Sequence, residues 1–133
     1  MLNHSLKKGI LFALLGSILG GTVAILVSAL LIKLFFLGNN TNGWAELSYG
    51  ILFIILLYPL GAAAGAAAAL RFLNYHPTFW KLITAAYLSE ILVLLLAEPL
   101  HLNLNPTLLV SLMLLLPIGS VLSAFMINLR YSK

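Results

Sequence analysis

GILFALLGSILGGTVAILVSALLI, residues Gly9 to Ile32, is an uncharged run between Lys8 and Lys33. It exceeds the ~20 residues that a hydrocarbon core of about 30 Å requires. Three further runs occupy most of what remains. Leu47 to Leu70 lies between Glu46 and Arg71; Leu82 to Ala97 lies between Lys81 and Glu98; and Thr107 to Leu129 is entered through Asn105 and Pro106. The third is the shortest, and snorkelling of Lys81 beside Phe79 and Trp80 extends it to about residues 80–98. These spans predict an all-α integral membrane protein with four transmembrane helices, at about 9–32, 47–70, 80–98 and 107–129, forming one domain over residues 1–133.

Composition agrees with this reading. Hydrophobic residues make up 62% of the chain and charged ones 8%, whereas about a quarter of a soluble domain is charged. The first run is too long for a signal-peptide core and is expected to stay as a helix. There is no cysteine, so disulfides, thiolate metal sites and thiol nucleophiles are excluded. Aspartate is also absent.

With the amino terminus in the cytoplasm, Lys7, Lys8, Arg71, Lys81, Arg130 and Lys133 fall inside and only Lys33 outside. The basic bias therefore predicts that both termini are cytoplasmic, in a bacterial inner membrane or an organellar equivalent. The net charge of +4 then reports topology, and no nucleic-acid partner is expected. The outer loops would hold Gly38 to Gly43, Glu46, Glu98 and His101, with Asn39-Asn40-Thr41 fitting a glycosylation sequon.

The second and fourth spans share fixed offsets. Pro59-Leu60-Gly61 is matched by Pro117-Ile118-Gly119, Gly65-Ala66 by Ser123-Ala124, and Leu70-Arg71-Phe72 by Leu129-Arg130-Tyr131. More weakly, Leu15-Gly16-Ser17-Ile18-Leu19 faces Leu88-Ser89-Glu90-Ile91-Leu92. Two parallel two-helix repeats would leave this pattern. Apolar segments of limited alphabet also match by chance.

Pro59 and Pro117 each remove an intrahelical donor, disturbing the carbonyls of Ile55 and Met113, and predict kinks at similar depth. Tyr58 and Ser120 are candidates to recover the freed carbonyls. A broken-helix binding site is the sharper alternative. Gly61, Gly65 and Ala69 form one small-residue face, and Gly16 and Gly20 another, with Ser17 and Gly21 beside them. Such faces let backbones approach, either within the chain or against a second protein, a lipid or a pigment.

Glu90 is the only charge at the centre of a span. It lies nine residues from Lys81 and eight from Glu98, about 12 to 14 Å of helix from each. An ionised carboxylate there costs of order 3 kcal/mol, so the group must be neutral, paired or hydrated. Thr22, Tyr58 and Ser120 are the polar residues expected at its depth. Its helix face is expected to point inward with Ile83, Ala86, Tyr87, Leu94 and Ala97. Two roles follow: a hydrogen-bonded link between helices, or a proton or cation carrier.

His4, His76 and His101 fall outside the spans, so no metal site, haem or other cofactor is expected. No nucleophile, base and acid cluster, and the chain does not read as an enzyme. The signatures of small four-span membrane enzymes, multidrug exporters and fluoride channels are missing too. The preferred function is a non-catalytic accessory or assembly subunit, packing against other membrane protein subunits through its Gly/Ala faces in the lipid bilayer. The alternative is a small homo-oligomeric channel or proton-coupled transporter using Glu90.

Overall fold

The computed structural model describes residues 4–37 and 43–131. The sequon at Asn39–Thr41 lies outside them. Four α-helices account for nearly all of the described chain: α1 (His4–Phe35), α2 (Gly43–Phe72), α3 (Phe79–Ala97) and α4 (Pro106–Tyr131), with a short 3-10 turn at Leu102–Leu104 before α4. Each is long and apolar enough to cross a membrane, and there is no strand among the described residues. The protein is an all-α four-helix membrane protein. At about 1.5 Å per residue α3 is about 28 Å long, close to the hydrocarbon thickness, whereas α1 at about 48 Å must tilt or project beyond it.

Helix boundaries follow local chemistry. α2 ends in a Schellman motif: Asn74 takes φ 60°, Tyr75 N–H donates to the Leu70 carbonyl and Asn74 N–H to the Arg71 carbonyl, both at 3.0 Å. Asn tolerates the left-handed conformation that this cap needs. Tyr75 and Leu70 both join the core, so the cap also carries its usual apolar contact. α4 starts with Asn105 Oδ1 accepting from Leu108 N–H at 3.2 Å, while Pro106 occupies the first helical position, where a missing N–H costs nothing. α3 stops two residues before Pro99.

The helices alternate in direction. Gly16 of α1 packs against Gly65 and Ala69 of α2, and farther along Gly50 of α2 faces Ile32 of α1. Lys81 at the start of α3 donates to Asn128 near the end of α4 at 3.3 Å. One end of the bundle therefore carries Lys7, Lys8, Arg71 and Lys81; the other carries Lys33, Glu46, Glu98 and His101. α2 touches the other three helices, α4 also touches α1 and α3, and among the described residues α1 and α3 do not meet. The basic end is filled by Ala13, Ala66, Leu70, Leu82, Val121 and Phe125. There the Tyr75 and Phe125 rings meet edge to face at 5.6 Å, an arrangement that the ring quadrupoles favour. Gly9 seats both rings: a Cβ there would lie 3.2 Å from each. Outward faces are apolar, with residues such as Leu19, Leu26, Leu95 and Leu115 exposed, as lipid contact requires.

Candidate functional site

The two small-residue faces meet each other. A Cβ added at Gly16 would collide with the Gly65 carbonyl and come within 2.6 Å of Ala69 Cβ; one added at Gly61 would collide with the Gly20 carbonyl and come within 2.6 Å of Ala24 Cβ. Only glycine at Gly16, Gly20, Gly61 and Gly65 allows the α1 and α2 backbones to touch. In a bilayer, where hydrophobic burial between helices brings no gain, such contact is a main source of association energy. The outer rim of this seam stays open as an apolar groove of about 320 Å³, floored by Gly20, Ala24, Gly61, Ala64 and Gly65 and walled by Leu57 and Leu60.

Both prolines are buried, and α2 and α4 continue through them as unbroken α-helix. The broken-helix expectation is therefore corrected. Instead, two tyrosines from neighbouring helices answer the carbonyls before each proline. Tyr58 of α2 donates to the Leu114 carbonyl at 2.8 Å, and Tyr87 of α3 donates to the Leu56 carbonyl. Leu114 and Leu56 each stand three residues before their proline, one residue nearer than the Met113 and Ile55 carbonyls expected. A proline ring disturbs the turn before it, and both carbonyls lie in that turn. The Tyr58 ring has room because Gly21 lies against it: a Cβ at Gly21 would sit 2.6 Å from the ring. Sequence reading placed Gly21 only beside the α1 small-residue face and gave Tyr87 no hydrogen-bonding role. The available signal was that Tyr87 lies one turn from Glu90, on the face expected to point inward.

Glu90 is 2% exposed. The inward face of α3 comprises Leu82, Ala86, Glu90, Val93 and Ala97, so it is rotated from the expectation: Ile83 and Tyr87 are half-buried and Leu94 is exposed. Of the expected polar cluster of Glu90, Tyr58, Thr22 and Ser120, Tyr58 lies within electrostatic reach of Glu90, but no hydrogen bond joins any two of the four. Thr22 is on the exposed side of α1, donating to its own Ile18 carbonyl at 2.8 Å. Tyr58 is committed to Leu114. Ser120 lies 3.1 Å from Ser89 Oγ and donates to the Pro117 carbonyl at 2.9 Å. Glu90 Oε2 is consequently buried without a hydrogen-bond partner, which is costly for any polar atom in an apolar interior.

Among the described residues, the other buried side-chain oxygen without a partner is Ser17 Oγ. Thr22, Ser28, Thr84, Ser111 and Ser123 all bond a carbonyl of their own helix; Ser17 does not. Ser17 and Glu90 occupy matching places in the first and third spans when Leu15–Leu19 is set against Leu88–Leu92. Both unpartnered oxygens thus fall at matching positions of that alignment. The likeness stops at the seams, because the counterpart of Gly61, Gly119, has open space around it. No group of three or more histidine or acidic side chains that could hold a metal occurs among the described residues.

No family model, no curated protein and no solved structure matches the chain.

Proposed function

We propose that the chain is a non-catalytic accessory or assembly subunit that seats a transmembrane helix of a larger membrane protein complex on its α1–α2 hairpin. The observation that carries this reading is the apolar groove above the Gly/Ala seam. Its floor has almost no side-chain volume, and on α2 both Ala64 and Ala68 are exposed. Small residues on an outward helix face let a second backbone approach closely, the geometry that promotes helix association in lipid. The polar side chains also support it, since among the described residues most are committed to backbone carbonyls. The basic end of the bundle, with the start of α1 and the end of α4, would face the cytoplasm, and the loops would contribute little beyond joining the helices.

The alternative, a homo-oligomeric channel or proton-coupled transporter, is favoured by one observation, the unpartnered Glu90 oxygen. Extraction of the tagged protein from its native membrane in mild detergent separates the two. Stoichiometric co-purification with larger subunits, lost when Ala64→Leu fills the groove, is expected. A particle composed solely of this chain, unchanged by Ala64→Leu, would overturn the subunit reading.

A further inference from the structure

We propose that the Glu90 carboxyl is a binding site for a single monovalent cation, a proton or an alkali ion of sodium size, held inside the bundle. Such a site is compatible with the chain working alone or as a subunit.

A carboxyl that serves only to join helices has to spend its oxygens on neighbouring donors. Glu90 Oε2 spends nothing, although it is buried. The donors nearest in sequence or depth are occupied elsewhere: Tyr58 on Leu114, Tyr87 on Leu56, Ser89 on the Ala86 carbonyl, and Ser120 on Pro117. Among the described residues no cation lies at its depth either. From α2 the titratable group that faces it is Tyr58, with Glu46 and Arg71 at the helix ends and Tyr49 exposed against Phe36. α4 presents no titratable residue between Pro106 and Asn128. The 3-10 turn has His101 at its start, exposed at the far end of the bundle. On α3 itself, Lys81 is nine residues away and bonded to Asn128, and Glu98 lies beyond the helix end.

A negative charge in that setting requires one positive charge brought from solution. Ser17, the matching position in α1, is also unpartnered but neutral, so of the two positions only Glu90 can hold charge.

The chain offers an unusually clean test. Its acidic side chains number three, all glutamate, so Glu46→Gln with Glu98→Gln leaves Glu90 as the last side-chain carboxyl. The full-length double variant is placed in lipid vesicles with a protonophore and a sodium ionophore, and the infrared carbonyl stretch of the protonated carboxyl is followed. The wild-type spectrum minus that of Glu90→Gln gives the same assignment by a second route. Loss of the band on raising pH, indifferent to sodium chloride, identifies a proton site. Loss on adding sodium chloride at constant pH, but not choline chloride, identifies a sodium site. A band constant through both series means a permanently neutral structural carboxyl and overturns the proposal. No band at any pH, meaning a carboxylate always paired, overturns it equally.

Discussion

Replacing Gly65 by Ala tests the α1–α2 seam at its tightest point. A Cβ built there overlaps the Gly16 carbonyl oxygen and lies 2.9 Å from both Gly16 C and Gly20 Cα, where ordinary contact begins at 3.4 Å. All three are backbone atoms, so no side chain can rotate away. The two 2.9 Å contacts alone require the helices to part by about 0.5 Å, and the carbonyl overlap requires more, along a face that includes Gly16, Gly20 and Gly61; overpacking of this kind costs about 1–3 kcal/mol. Alanine also gains up to about 1 kcal/mol of helix propensity over glycine, which would partly hide the clash. Gly119→Ala corrects for that: it sits inside α4 with no atom within 4 Å of its added Cβ, so it carries the propensity gain alone. The assay is unfolding in mixed micelles by increasing sodium dodecyl sulfate, followed by helical circular dichroism and by Trp44 and Trp80 fluorescence. Gly65→Ala is expected to unfold about 1–3 kcal/mol more easily than Gly119→Ala. Equal stability of the two variants would refute backbone contact between α1 and α2.

The same assay checks the other expectations. Tyr58→Phe and Tyr87→Phe should each cost about 0.6 kcal/mol and at most about 2 kcal/mol, the range for interhelical hydrogen bonds in membranes; no loss in either would mean that the carbonyls before the prolines need no donor. Ser17→Ala should be neutral or stabilise by about 1 kcal/mol, because it removes a buried hydroxyl without a partner. Clear destabilisation by Ser17→Ala would show that this hydroxyl has a partner after all.

The span positions were legible in the chain because they depend on local quantities: the length of an apolar run, the charges that bound it, and the Asn105-Pro106 start of α4. The meeting of Gly16 and Gly20 with Gly61, Gly65 and Ala69 was also foreshadowed, since small residues four apart share a helix face whatever surrounds them. Glu90 was visible as the one charge at mid-span. Its surroundings were not. Depth counted along a helix put Thr22, Tyr58 and Ser120 level with it, but depth says nothing about the angle around each helix axis. That angle turned Thr22 to the outside of α1, aimed Tyr58 at Leu114 and Tyr87 at Leu56, and brought Val93 inward in place of Leu94. It follows from how α2, lined with alanine, packs against three neighbours at once. The sequence by itself determined four membrane-spanning helices, a small-residue seam and a lone central carboxyl. Tertiary structure alone decided which donors would be spent on the carbonyls before the prolines, and so left the Glu90 oxygen without a partner. Hydropathy is summed along one helix, whereas a hydrogen bond needs two helices in a particular rotation.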